Sequence, residues 1–499
     1  MIKKIFLQAV GKKPFFVVAK AAKLASKSSF IYLNPVHQQV QLHFLPNYHF
    51  STDNVSETIN QALKLEKAGK EAYENNNFGE AEKNFVQALE LRKKHPSTSL
   101  SNEIFGIHSI LSQIYQSLGD MDKAIDHATK LVDVTLKLFP ENNAMIVQSY
   151  TQLGRLYEQI GDLSEAINRY DTALKYAHLS KEPIKVADCK ANLAVSYLSN
   201  RDYKKAIEYG EEVLSLLEGI SNKTPDVLFS IAEMHGILGQ AYSSMGEFEK
   251  AESLLKKCLE HIEKDPQAEP LLPQFLSHLA VVCDHLKKYD ESLSYRERVM
   301  AIVDKLYGED HHLMGIACND LGVSYHLKGE FDKAVVYQAK AYNIYVKEYG
   351  EDHPNTISIK TNLAYQYENT QQYEKAWQLF SELYESLKKS DELHPVDEAT
   401  LLTNIGSNQI RLPDRRRGFD NVLLKALEIA TSTKEFPWVK LFNIYISLGQ
   451  GFEEVNQIMD SVKYFEKAAD LAKENAGKSA EPYLFAVYCK DRVQNKMFS

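Results

Sequence analysis

Between residues 362 and 380 the chain reads NLAYQYENTQQYEKAWQLF, two apolar stretches broken by Asn369-Thr370-Gln371-Gln372. In the first stretch Leu363, Ala364 and Tyr367 recur at helical spacing. In the second, Ala376, Phe380 and Leu383 follow i, i+4, i+7, which puts them on one helix face. The pattern predicts two helices joined by a tight polar turn.

The same pattern recurs along most of the chain. With the small residue after the turn as a marker, it returns at Ala81, Ala124, Ala166, Ala206, Ala251, Ser292, Ala334, Ala376, Gly418 and Ser461. The intervals are 43, 42, 40, 45, 41, 42, 42, 42 and 43 residues, a regularity that marks an internal repeat. The first helix of each unit carries a large apolar residue, a small one beside it and an aromatic one turn on. Examples are Leu153-Gly154-Tyr157, Leu193-Ala194-Tyr197, Leu238-Gly239-Tyr242 and Leu321-Gly322-Tyr325. The small residue lets a facing element come close, and the aromatic fills the space beside it. Turns such as Gly119-Asp120, Gly161-Asp162, Gly246-Glu247 and Gly329-Glu330 suit a helix that must reverse before another begins.

Helix formers dominate throughout and no long alternating Val/Ile stretch appears, so the chain is expected to be all-α. The grammar of the units resembles the tetratricopeptide repeat over about residues 60 to 473. The 42-residue period, with YGEDHHLMGIACNDLGVSY (307–325) and YGEDHPNTISIKTNLAYQY (349–367), resembles the kinesin-light-chain type. That resemblance implies an α-solenoid, a right-handed superhelix of about ten helix pairs whose first helices line a concave groove. Residues 55–475 are expected to form it. Residues 478–499, with EPYLFAVYCKDRV (481–493), are expected to supply a capping helix and tail over the open end.

Charge changes the picture at one end. The net charge of −9 hides seven Lys and no acid in residues 1–52, leaving 51 cations against 67 anions, a net −16, beyond them. A basic, acid-free start is the composition of an organellar transit peptide, and Phe50-Ser51 in NYHFST resembles a matrix-protease site, although no Arg precedes it. Residues 1–52 are therefore expected to be a disordered presequence, mitochondrial first, with a plastid address or an uncleaved Lys-rich tail as alternatives. The acidic remainder disfavours nucleic acid as a partner. No apolar run is long enough for a membrane-spanning helix, so membrane association, if any, is expected to be peripheral.

Candidate chemistry is sparse. Cys189, Cys258, Cys283, Cys318 and Cys489 have no metal-ligand spacing and are expected to be reduced, packed thiols, with Cys258, Cys283 and Cys318 falling on the repeat pattern as core positions. AKENAGKS (472–479) satisfies a loose phosphate-loop pattern, but a helix rather than a buried strand precedes it, and Gly477 suits a helix end. His311, His312 and His353 stand in the connections between units, where ordering a helix start is the simpler role. No catalytic, cofactor or metal site is expected.

What remains is the groove. In peptide-holding members of the family, Asn before the large apolar residue bonds the ligand's backbone, since its amide both donates and accepts. Asn192, Asn362 and Asn404 stand at that position here, Asn319 stands two before Leu321, and Gln152 and Arg155 extend the row. Bonding a neighbouring unit or solvating the helix is the competing role for all six. Arg415-Arg416-Arg417, in the degenerate ninth unit, is either a solvated turn or a site for an acidic ligand.

The resemblance implies a non-enzymatic scaffold holding a protein or peptide partner, basic or neutral rather than acidic. Kinesin-light-chain-like mitochondrial members include an assembly or maturation factor of respiratory complex III. The alternative is a cytosolic cargo or cytoskeletal adaptor, which would be expected to carry a heptad region ahead of its repeats; residues 1–59 hold none. An enzyme with a repeat sensor would need a catalytic domain, for which the non-repeat ends offer little room.

Overall fold

The computed structural model describes residues 57–94, 102–389 and 393–496. The expected presequence of residues 1–52 lies outside them. Every regular element among the described residues is helical. Eleven α-helices precede Leu286: α1 (Glu57–Glu74), α2 (Phe78–Lys94), α3 (Asn102–Leu118), α4 (Met121–Leu138), α5 (Asn143–Gln159), α6 (Leu163–Ser180), α7 (Pro183–Ser199), α8 (Tyr203–Glu218), α9 (Pro225–Ser244), α10 (Phe248–Ile262) and α11 (Leu272–His285). Ten follow: α12 (Tyr289–Tyr307), α13 (His312–Lys328), α14 (Phe331–Tyr349), α15 (Pro354–Asn369), α16 (Tyr373–Lys389), α17 (Pro395–Ile410), α18 (Phe419–Ser432), α19 (Trp438–Glu454), α20 (Ile458–Ala476) and α21 (Glu481–Asn495). They form two compact units, one ending at Leu286 and one resuming at Lys287. In each unit the extensive helix contacts join chain neighbours or next-but-one neighbours, which is the contact pattern of a solenoid.

Short local signals start and stop these helices. Asp120, Asp162 and Asp202 cap α4, α6 and α8, each side chain accepting the backbone N–H three residues on. Before α13, α15 and α17 the cap is a histidine: Nδ1 of His311, His353 and His394 accepts the N–H of Leu313, Asn355 and Val396 at 3.3, 3.2 and 3.3 Å. The rings of Tyr307 and Tyr349 stack on His311 and His353, so the Tyr-Gly-Glu-Asp-His motif is a helix-start device. Gly477 closes α20 with φ +86°, as a helix end and not a phosphate loop.

Packing follows the repeat grammar. The marker residues Ala81, Ala124, Ala166, Ala206, Ala251, Ser292, Ala334, Ala376 and Ser461 are fully buried. Four residues after Ala81, Ala166, Ala251, Ala334 and Ser461, the side chains of Phe85, Tyr170, Leu255, Gln338 and Phe465 lie over a glycine of the preceding helix, whereas Ala124 and Ala206 are followed there by the small Ala128 and Gly210. At Gly154 an added Cβ would sit 2.7 Å from the Tyr170 ring, too close for any larger residue.

Gly418 is the exception to the expected register. It is the left-handed N-cap of α18 at φ +87°, and the buried marker position falls one residue later, on Phe419. Leu423, four beyond Phe419, covers Gly406 as Tyr170 covers Gly154. The marker intervals around it are therefore 43 and 42 residues, still in step. A phenylalanine fits where other units hold alanine because Gly451 of α19 lies flat against its ring. At the end of the second unit, α21 buries Ala486, Cys489 and Val493 against a cluster with Phe442, Ile446 and Phe465, covering the last pair.

Candidate functional site

By the repeat pattern, the odd-numbered helices from α1 to α19 are the first helices of their pairs. Within each unit their neighbouring faces are tied by polar bonds between residues about one period apart. In the unit of residues 57–286, Tyr73 donates to Gln113 at 3.0 Å and Gln116 to Gln159 at 2.8 Å. Ser196 donates to Glu158 at 3.1 Å, and Glu158 also accepts from Tyr170. Burial raises the Glu158 carboxyl above its ordinary range, against the lowering effect of those two hydroxyls.

In the unit of residues 287–496 the ladder continues with other side chains. Asn362 donates to Asn319 Oδ1 at 3.2 Å, Asn404 to Tyr365 Oη at 2.9 Å, and Arg411 to Gln450 at 3.3 Å. Ser407 and Ser447 share a bond of 2.8 Å, and His326 bonds Gln366 at 3.0 Å. Burial lifts Glu368 to about 7 against the pull of Arg411 and Asn408. Burial likewise pushes Tyr365 to about 12, while Asn404 draws it back.

The six groove candidates therefore divide. Asn319 and Asn362 are brought together and bond each other, Asn404 is held by Tyr365, and Gln152 reaches Ser112 Oγ at 3.4 Å. Four of the six thus serve as ties between repeats. Arg155 is exposed and Asn192 half-buried, and neither side chain makes a hydrogen bond among the described residues. The arginine turn is also largely engaged. Arg415 pairs with Glu374 at 2.8 Å and lies over the Trp377 ring at 4.0 Å; Arg416 pairs with Glu454 at 3.2 Å.

Two groups on first helices escaped the sequence reading. Glu233 on α9 sits amid the buried Ile231, Ala232 and Met234, and burial alone raises its carboxyl to about 7. His278 on α11 is pushed down to about 4 by burial alone. The signal that marks both is a lone titratable residue inside an apolar helix stretch, LFSIAEMHGIL and LPQFLSHLAVV.

The buried thiols are held protonated: burial pushes Cys189 up to about 12 and Cys318 and Cys489 to about 11. No helix of the described residues is long and apolar enough to cross a membrane. The arrangement is thus a polar face on packed helices.

Comparison with known proteins agrees. Family patterns described as tetratricopeptide repeat match residues 103–177, 271–345 and 315–389, with further matches at 151–219 and 235–269. Together they cover more than half of the chain. No curated protein sequence matches it. Among solved structures, the apo form of RapI is similar at 15% identity and TM-score 0.53, over 74% of this chain and 97% of that one. A signal transduction ATPase with a tetratricopeptide repeat sensor from Pyrococcus horikoshii is similar at 16% identity and TM-score 0.50. The match covers 84% of this chain and 55% of that one. The repeats of a Podosopora anserina chain assigned as a kinesin light chain are similar at 22% identity and TM-score 0.35, over 42% of this chain and 99% of that one.

Proposed function

Since the chain belongs to the tetratricopeptide repeat family, we propose that it is a non-catalytic adaptor that holds one partner polypeptide against the faces of its first helices, inside mitochondria. The family's repeats are protein-interaction scaffolds. The observation that carries the reading is the polar face itself. It runs along consecutive first helices, is fixed by bonds such as Asn362–Asn319 and Asn404–Tyr365, and includes polar groups left unbonded. A face pre-ordered in this way loses little entropy when an extended segment lies on it.

The address rests on the seven Lys and absent acids of residues 1–52. By family resemblance, the task of such a mitochondrial adaptor is the assembly or maintenance of a respiratory or other complex. A cytosolic cargo adaptor is the competing reading.

Two measurements decide. A photo-crosslinking residue placed at Asn192 in C-terminally tagged protein in cells is expected to give one dominant polypeptide adduct, absent when the crosslinker replaces Met459 on the exposed side of α20. No adduct specific to the first-helix face overturns the adaptor reading. Sequencing the mature N-terminus from a mitochondrial fraction is expected to find a start near Ser51, and a full-length cytosolic chain overturns the address.

A further inference from the structure

The two units treat their first-helix faces differently. In residues 287–496 several of the polar groups close on one another: Asn319 on Asn362, Tyr365 on Asn404, Ser407 on Ser447. In residues 57–286 a run of them is left open. Arg155 on α5, Asn192 on α7, Glu233 on α9 and Gln274 on α11 make no side-chain hydrogen bond among the described residues.

Two of the open groups share a chemistry. Glu233 is an acid in an apolar stretch with no cation beside it. The Gln274 Oε1 is buried and accepts from nothing. Phe275, the residue after Gln274, packs on Gly236, one turn from Glu233, and so sets the register of α11 on α9. An unpaired buried acceptor such as the Gln274 Oε1 costs about 1–3 kcal/mol, and with an uncompensated acid on the helix that Phe275 packs against it asks for a donor that brings positive charge. The net −16 of the chain beyond residue 52 draws such a donor in from a distance.

Building on the adaptor reading, we propose that the first-helix face of residues 57–286 receives an extended polypeptide segment whose Lys or Arg side chain seats at Glu233 and Gln274. Asn192, on the preceding first helix, donates to and accepts from the segment's backbone. The electrostatics of the empty face agree. A titratable group that faces Glu233 is the Cys258 thiol of α10, kept protonated by burial. No charged side chain of α7, α8, α10 or α11 among the described residues moves Glu233 from the value burial gives it, about 7. A seated cation stabilises the carboxylate, so binding releases a proton. Affinity therefore rises with pH until the empty site is fully ionised.

The test uses the full chain and a set of acetylated, amidated twelve-residue peptides of Ala, Gln, Ser and Leu carrying two lysines at varied spacing. Norleucine versions replace both lysines. Fluorescence anisotropy is expected to show a lysine peptide binding at least tenfold more tightly than its norleucine twin. Its affinity is expected to rise about tenfold from pH 6 to pH 8, the span over which an acid of pKa about 7 ionises. Glu233→Gln is expected to remove both the preference and the pH slope without lowering the melting temperature. Glu212→Gln, which breaks the pair with Lys190 elsewhere, is expected to change neither. Equal binding of lysine and norleucine peptides, no binding of any peptide, or an unchanged pH slope in Glu233→Gln overturns the proposal. The Asn192 crosslink separates the two ideas: an adduct that persists undiminished in Glu233→Gln overturns this inference and leaves the adaptor standing.

Discussion

At the scale of single residues, polar groups inside the stack behave according to whether a neighbour answers them. His108 on α3 is 3% exposed and shares a 3.0 Å Nδ1–Nδ1 bond with His127 on α4. One ring must donate and the other accept, so the bond needs at least one neutral ring and cannot survive protonation of both. Burial, and for His108 the nearby His127, press the pair down to about 3 and about 4, well below the ordinary value near 6.5. The unfolded chain takes up protons as pH falls below about 6.5, and the folded chain resists until about 4. This pair therefore costs nothing above pH 7, and its destabilising effect grows from about pH 6.5 down to about 4. Between pH 7 and pH 5 it is expected to remove about 2 kcal/mol of stability for each ring. Urea unfolding measures it: the loss on going to pH 5 is expected to be clearly smaller in a His108→Phe/His127→Gln variant than in the parent. An equal loss in both would place the acid sensitivity elsewhere.

At the scale of elements, the helix pair depends on a turn whose first residue takes a left-handed backbone. Glycine supplies it at Gly119, Gly161, Gly246 and Gly329, with φ between +79° and +89°. The same place in other units is held by Asn76, Arg201, Lys287, Gln371 and Asn456 at φ +56° to +63°. For a residue with a Cβ that conformation costs about 1 kcal/mol, which glycine avoids. Gln371→Gly is therefore expected to stabilise by about 0.5–1 kcal/mol, read as a higher urea midpoint with an unchanged slope; a lower midpoint would refute the account.

The opening stretch made this turn legible as a break but not as a left-handed one, because nothing in Asn-Thr-Gln-Gln announces positive φ. The period was legible because a small residue must recur wherever two backbones close in, and nine of ten markers obey. The tenth was misread by one residue, since Gly418 is small for a different reason and the true marker, Phe419, is large. The asparagines were legible as a face. Their partners were not, since spacing tells which way Asn362 points and not that Asn319 waits there. Glu233 was illegible for the opposite reason: its importance is the lack of any partner.

At the scale of the whole molecule, contacts that reach only to neighbouring helices make stability a chain of local couplings, so damage should stay near its source. Phe419 and Gly451 offer a test, because they are a matched inversion of the usual arrangement. The marker residue of one pair faces the third residue after the large apolar one in the next, as Ser292 and Ser324 do with their 3.1 Å bond. Where the marker is Ala206, the corresponding residue is Ala241; where it is Phe419, the corresponding residue is Gly451. Phe419→Ala alone leaves a cavity and is expected to cost about 3–5 kcal/mol. Gly451→Ala alone drives a methyl into the ring and is expected to cost about 1–3 kcal/mol. The double variant rebuilds the Ala206–Ala241 combination, so its loss is expected to fall clearly below the sum of the two. Hydrogen exchange should show each single change loosening α17 to α20 while α1 to α8 keep their protection. Additive losses would mean the two residues are not a matched pair, and loosening that reached α1 to α8 would mean that the stack does not transmit stability one neighbour at a time.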